Sequence, residues 1–317
     1  MKKAIIVGAD GQDGTILFDY LKSKKYRIIG IDRKRMKFFM APKIKSVNIS
    51  DERRVHNLIK YFKPHEIYYL AAFHSSSEEK TPDIETYTKS HDVNVLCLIN
   101  FLEGARKYSP KARVFYAASS HIFGMAKTAP QDESTPVNPV SVYGVTKAAG
   151  FFICRHYRAQ YSLFVSTGIL YNHESYLRSD NFVSKRIIKG AINIKNNKQG
   201  KLSLGDLTAE VDWGYAPDYV RAMYDILNTA KADDFIIATG KKHSVLDFVK
   251  IAFGFLKMDW KLYVRENKKI IRKEKKNLLI GNPGKLMKTT GWRPSVNFKG
   301  MIKILLESEI KERMPGA

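Results

Sequence analysis

The sequence predicts an α/β fold built on a doubly wound parallel sheet. Three observations predict it: short apolar runs alternating with helical patterns, a glycine-rich turn directly after the first run, and a Tyr-x-x-x-Lys pair further along. Lys3-Ala-Ile-Ile-Val7 is the first strand, Gly8-Ala-Asp-Gly11-Gln-Asp-Gly14 the turn, and Ile16, Leu17, Tyr20 and Leu21 then repeat with a helical period. Residues 27–31, 66–70, 113–117 and 163–170 read as further strands with helical stretches between them. After residue 172 the pattern loosens into a helix near 182–194, another at 217–228, a strand at 234–238 and a helix from Ser244. Gly281-Asn-Pro-Gly284 marks a turn before the last helical segments.

The turn carries chemistry as well as topology. Glycines at Gly8, Gly11 and Gly14 let backbone approach a pyrophosphate, and a helix starting at Gln12 and Asp13 offers free N–H donors and a partial positive charge. Its spacing, Gly-x-x-Gly-x-x-Gly, differs from the Gly-x-Gly-x-x-Gly of many dinucleotide sites. We therefore expect residues 1–171 to form a Rossmann-type NAD(P)-binding domain and 172–317 mainly a smaller substrate-binding lobe, some of its segments returning to the sheet. The strand at 27–31 ends in Asp32, whose carboxylate suits the adenosine ribose and repels a 2′-phosphate. Arg33, Lys34 and Arg35 favour the opposite choice, so NAD is expected, with NADP as the alternative.

Tyr143 and Lys147 sit four apart in Ser141-Val-Tyr-Gly-Val-Thr-Lys147, which on a helix puts phenol and ammonium on one face. A tyrosine titrates near ~10, and a neighbouring positive charge is expected to draw it down towards use as a base. Ser119-Ser120-His121, one strand and loop earlier, places a hydroxyl where it can hold a substrate alcohol. Proton removal by Tyr143 with hydride loss from the same carbon is oxidation at a carbinol.

Composition narrows the class without naming it. The chain has 317 residues and 44% hydrophobic content, enough for a sizeable core, and no apolar run approaches the ~20 residues of a membrane span. The short apolar stretch after Lys2 and Lys3 leads into the glycine turn and is no signal peptide, so a cytoplasmic protein is expected. Cys97 and Cys154 lie in helical patterns without metal-binding spacing, and no metal site is expected. Lys and Arg outnumber Asp and Glu by 54 to 31, giving +23, with clusters at 22–25, 33–37 and 268–276. Nucleic-acid binding is the rival class that this charge raises; the dispersal of the basic residues, without interleaved aromatic residues or a helix-turn-helix pattern, argues against it.

These motifs, with Gly168-Ile-Leu-Tyr-Asn-His-Glu-Ser175, Asn181-Phe-Val183, Asp212-Trp-Gly214 and Gly291-Trp-Arg-Pro294, resemble the extended short-chain dehydrogenases/reductases and, within them, the GDP-mannose 4,6-dehydratase family. The resemblance covers nearly the whole chain. It implies a nucleotide-diphospho-sugar substrate, GDP-linked, and a homodimer or homotetramer. It also implies roles: Tyr143 deprotonates the C4 hydroxyl, Ser119 orients it, and Lys147 holds the nicotinamide ribose. Ser120, Asn172, Asn181, Phe182, Val183, Arg186 and Arg272 are the implied substrate contacts.

Three departures from the family pattern bear on chemistry. His121 stands where the family has the glutamate that removes the C5 proton, and imidazole, with an ordinary pKa of ~6.5, can do the same work. If it does not, the protein is a C4 dehydrogenase, reductase or epimerase without dehydration. Val211 replaces an arginine before Asp212, and Lys273-Glu-Lys-Lys276 replaces most of a second nucleotide-binding segment. Residues 75–82 also extend the family pattern.

Overall fold

Four of the five residues of the first strand are buried, and the second strand repeats that pattern, as strands covered on both faces must. The computed structural model describes residues 1–33, 36–42, 46–73, 83–267 and 278–313. In chain order the elements begin with β1 (Lys3–Val7), α1 (Gln12–Ser23), β2 (Arg27–Ile31), β3 (Met36–Phe39), α2 (Glu52–Phe62), β4 (Glu66–Tyr69), α3 (Ile84–His91) and α4 (Cys97–Tyr108). Next come β5 (Arg113–Ser119), α5 (Val142–Tyr161), β6 (Val165–Leu170), β7 (Asn172–Glu174), α6 (Val183–Lys195), β8 (Leu202–Leu204) and β9 (Glu210–Tyr215). The chain continues with α7 (Ala216–Leu227), β10 (Asp234–Ile237), β11 (Lys242–Ser244), α8 (Val245–Phe255), β12 (Val264–Glu266), α9 (Gly284–Thr290) and α10 (Phe298–Glu312).

The main sheet runs β10-β6-β5-β4-β1-β2-β3. Every pairing is parallel except β2 with β3, so the doubly wound parallel sheet expected from sequence is present, with one antiparallel strand added at an edge. Winding reverses at β1, with β2 on one side and β4 on the other, and ligands of such sheets bind outside the strand C-termini at that point.

Side-chain alternation divides the sheet between two cores. Ile5, Val7, Ile29, Ile31, Tyr69 and Tyr116 point to the face covered by α2, α4 and α5, while Ala4, Ile6, Ile28, Tyr68 and Phe115 point to the face covered by α1 and α7. Both cysteines are buried free thiols, Cys97 and Cys154 belonging to the first of these cores. A third core, with Ile187, Trp213, Phe248 and Leu305, joins α6, α8 and α10.

The loose pattern after residue 172 hides two small sheets, β11-β9-β7 and β12-β8, whose strands are mostly three residues long and too short to show alternation in sequence. β10 rejoins the main sheet beside β6. Among the described residues no helix is long and apolar enough to cross a membrane.

Asp212, in the middle of β9, ties these parts together. Its carboxylate is 1% exposed and accepts from Thr239 N at 3.0 Å, Thr239 Oγ1 at 2.5 Å, Gly240 N at 3.1 Å and Gly281 N at 3.2 Å. Asp212→Ala would strand buried donors on two turns and is expected to cost about 3–5 kcal/mol. Differential scanning calorimetry should record a melting point roughly 5–7 °C lower.

Candidate active site

The turn after β1 is shaped by close backbone packing. Gly8 has φ +90°, and a Cβ there would lie 2.8 Å from Ala71 N; a Cβ on Gly14 would lie 2.1 Å from Gly8 O. At Gly11 the nearest atom would be 3.4 Å away, so the fold itself does not demand glycine there and the bare turn leaves its outer face open. Gly11 caps α1 without a side-chain hydrogen bond, which leaves the first-turn N–H groups for a ligand. A bare turn, a free helix N-terminus and a position at the switch in winding fit a dinucleotide pyrophosphate.

Asp32 follows β2, as the sequence reading requires, but its carboxylate is not unpaired. It accepts from Asp10 N at 3.0 Å and from Arg33 N at 2.7 Å, holding the turn itself. The Arg33 side chain is exposed, while Lys34 and Arg35 lie outside the described residues. Lys37 adds a cation to the same turn, 2.8 Å from Asp10 Oδ1.

Ser119 ends β5, level with Leu170 on β6, and is 8% exposed. Its hydroxyl is hydrogen-bonded to Tyr143 and also accepts from His121 N at 3.3 Å. Tyr143 lies in the first turn of α5, which Ser141 starts by accepting from Gly144 N at 3.1 Å. Lys147, one turn on and 1% exposed, donates to Ala117 O at 2.8 Å, its ammonium 5.8 Å from the Tyr143 ring centre. The His121 ring meets Tyr143 edge-on at 5.7 Å and is reached from solvent through the cleft. Ser120, by contrast, is 3% exposed and turned into the protein.

Behind α5 a buried polar cluster fixes its first turn. Asn94, in a single π-helical turn at 92–96, donates to Ser90 Oγ and Thr146 Oγ1, and Thr146 Oγ1 bonds the carbonyls of Val142 and Tyr143.

Desolvation dominates the titration of these groups. Burial pushes the Tyr143 phenol up to about 12, against the Ser119 hydrogen bond and the positive charge of Arg178. Burial also drives Lys147 down to about 7. The expectation that Lys147 draws Tyr143 down is therefore corrected: in the protein alone burial outweighs any such help, and the cation that opposes it is Arg178. Crowding around His121 lowers its pKa, keeping the imidazole neutral near pH 7.

Arg178 and His173 are the site residues that sequence reasoning passed over, although both lie within or beside the quoted motifs. Arg178 lies over the Phe182 ring at 3.5 Å and pairs with Glu174 at 3.2 Å. His173 Nε2 is 2.9 Å from Asp13 Oδ2, its Nδ1 bonds Tyr171 O at 2.7 Å, and its ring stacks on Tyr219. Gln12 Nε2 donates to His173 O at 3.1 Å and Gln12 Oε1 accepts from Ser175 Oγ at 2.9 Å. These bonds fasten the glycine turn to the segment 172–183.

The remaining expected substrate residues line that segment. Asn172 and Asn181 are exposed, Phe182 and Val183 half-buried at the start of α6, and Arg186 reaches Ser203 O at 3.3 Å. Val211 pairs in register with His243, whose ring stacks on Phe298 at 3.9 Å. Arg272 and residues 75–82 lie outside the described residues.

A family model described as GDP-mannose 4,6 dehydratase matches residues 5–305. GDP-mannose 4,6 dehydratase 2 of Arabidopsis thaliana is 34% identical over 98% of this chain and 87% of its own length. Among solved structures, dTDP-glucose 4,6-dehydratase from Bacillus anthracis in complex with NAD superposes with a TM-score of 0.83 at 19% identity, covering 98% of this chain and 97% of that one. RMD from Pseudomonas aeruginosa complexed with NADPH gives 0.84 at 18% identity, covering 99% and 100%.

The Asp13–His173 pair has a definite pH signature. Burial pushes His173 down, but the Asp13 charge and hydrogen bond outweigh it and hold the imidazole above its ordinary value, with Arg178 opposing. A group whose folded pKa is raised stabilises fully below its unfolded value of ~6.5 and loses that contribution as pH rises through the folded value. The melting-point gap between wild type and His173→Gln is expected to correspond to about 2 kcal/mol in mildly acidic buffer and to shrink as pH rises past neutrality. Thermal melts across that range check it.

Proposed function

The chain belongs to the GDP-mannose 4,6-dehydratase family, and from that premise we propose that it oxidises the hexose of a GDP-linked sugar at C4 and eliminates water across C5–C6, with His121 as the C5 base. It is an NAD(P)-dependent nucleotide-sugar enzyme. The observation that carries the reading is the meeting of Ser119, His121 and Tyr143 at the C-terminal edge of β5, beside the glycine turn.

The nicotinamide cofactor would supply a hydride acceptor for C4 and, in reduced form, the hydride for C6. Gly8, Gly11 and Gly14 with the first turn of α1 take its pyrophosphate, and Lys147 its ribose. Ser119 holds the 4-hydroxyl while Tyr143 removes its proton. The 4-ketone acidifies C5–H, His121 takes that proton and passes it to the C6 hydroxyl, which departs as water, and a solvent proton is returned to C5 as C6 is reduced. In this reading residues 1–171 serve the cofactor and 172–317 mainly the substrate.

The diphosphate has a natural seat at the start of α6. Phe182 caps that helix without a side-chain bond, no acidic residue lies in its first turn, and Asn181 and Arg186 flank it. Arg186 stands there as the cation that compensates for Val211.

One observation favours a second reading, in which C4 oxidation ends in reduction or epimerisation: the base position holds an imidazole rather than a carboxylate. Incubation with GDP-mannose and cofactor in deuterium oxide separates the two. A 6-deoxy-4-keto product bearing deuterium at C5 is expected, at a rate that falls as pH drops through the lowered pKa of His121. Turnover without loss of water and without C5 label would overturn the dehydratase reading.

For the cofactor we propose NAD. The Asp32 carboxylate, fixed at the end of β2 by Asp10 N and Arg33 N, places negative charge where a 2′-phosphate would lie. Fluorescence titration is expected to show NAD bound about tenfold more tightly than NADP, and Asp32→Ala to erase the preference. Tighter NADP binding by the wild type would mean that the neighbouring basic residues decide.

A further inference from the structure

We propose that Lys185 and Glu309 form a buried positioning pair that fixes the loop carrying Asn181 and Phe182, and so sets affinity for the nucleotide sugar without touching it. The inference rests on the reading of that loop as the diphosphate-binding segment.

Lys185 lies in the first turn of α6 and is 8% exposed; Glu309, on α10, is 3% exposed. Lys185 Nζ is 2.7 Å from Glu309 Oε2 and donates to Tyr176 O at 2.8 Å. The other carboxylate oxygen of Glu309 accepts from Arg313 Nε at 2.8 Å, and Arg313 Nη1 donates to Asn193 Oδ1 at 2.6 Å on α6. One ammonium thus joins the C-terminal helix to the backbone of the loop between β7 and α6.

Nothing local to α6 explains a lysine at this place. A cation in the first turn opposes the helix dipole, and burial opposes its charge. What retains it is the pairing across the interface: without Glu309 the Lys185 ammonium would be buried and uncompensated, whereas Glu309 has Arg313 as a second partner. The carbonyl of Tyr176, whose side chain is 45% exposed, turns inward to reach Lys185, so the course of the loop depends on where that ammonium sits. Glu174, Tyr176, Arg178 and Lys185 line a small pocket that Leu305 of α10 closes on one side, so loop and C-terminal helix meet there.

The loop has further ties at its flanks, through Ser184 Oγ to Glu174 Oε2 at 2.6 Å and Lys189 to Asp180 at 2.6 Å. Lys185 is the tie to α10. Losing it should displace Asn181 and Phe182 while leaving the glycine turn, held by Asp13 and His173, in place.

The test is isothermal titration of wild type, Lys185→Met, Glu309→Gln and Lys185→Arg with GDP-mannose, GDP and NAD, beside steady-state kinetics and circular dichroism. Lys185→Met is expected to weaken GDP-mannose and GDP about tenfold or more, raising KM in proportion, with kcat and NAD affinity within about twofold. Glu309→Gln, which keeps an acceptor and the volume, is expected to weaken them roughly threefold, and Lys185→Arg to restore near wild-type affinity. If both charge-removing variants are folded and bind GDP-mannose as the wild type does, the pair only fastens α10 and the proposal is overturned. A wild type that binds neither GDP-mannose nor GDP would overturn the reading of the loop along with it.

Discussion

A carboxylate and an imidazole 2.9 Å apart, Asp13 and His173, hold the two sides of the cleft in register. Asp13 lies in the first turn of α1, where the glycine turn presents its N–H donors; His173 lies on β7, where the chain leaves the main sheet for the small sheet β11-β9-β7. Burial alone would raise the acid and lower the imidazole, yet each holds the other charged, so the contact is favourable only while both sides stay in place. Gln12, reaching His173 O and Ser175 Oγ, adds neutral hydrogen bonds to the same seam. The cofactor turn and the segment entering α6 therefore form one body.

With the frame fixed, desolvation sets the reactivity of what lies inside it. Tyr143 at about 12 is a weak acid, and Lys147 at about 7 is a buried lysine whose ammonium meets Ala117 O and aromatic faces. Neither value suits catalysis in the protein alone. In the proposed complex, ribose hydroxyls at Lys147 and a positive ring beside Tyr143 would both favour the charged forms of these groups, so the phenolate would become available once the cofactor is bound. Ser119 and Arg178 are already placed to assist.

The sheet was legible because its strands are apolar on both faces and separated by helices with clear periodicity; β1 and β2 fall where residues 3–7 and 27–31 predict. β3 escaped because an edge strand of four half-buried residues carries no such signal, and the three-residue strands of the second lobe are below the length at which alternation can be seen. Tyr143, Lys147 and Ser119 were legible because their spacing has a mechanical meaning on a helix and a strand end. Arg178 and His173 were not, since one acts through space on a phenol in another element and the other through a contact spanning 160 positions of sequence. At Asp32 the place at the end of the second strand was legible, but its two backbone partners belong to the turn and cannot be inferred from a strand ending.

The replacement of a carboxylate by His121 changes the charge balance of the proposed elimination. A glutamate base begins as an anion and ends neutral, whereas imidazole begins neutral and ends as a cation. Partial desolvation lowers the His121 pKa, Tyr143 is its aromatic neighbour, and the Asp13 carboxylate is committed to His173. The imidazolium formed by taking the C5 proton is consequently a stronger acid than histidine in water, inclined to pass the proton on rather than keep it. A departing C6 hydroxyl needs that proton. In the proposed elimination, the physical feature that makes His121 the weaker base for the first half would thus make it the better acid for the second, so the substitution would redistribute the work between the two halves instead of removing it.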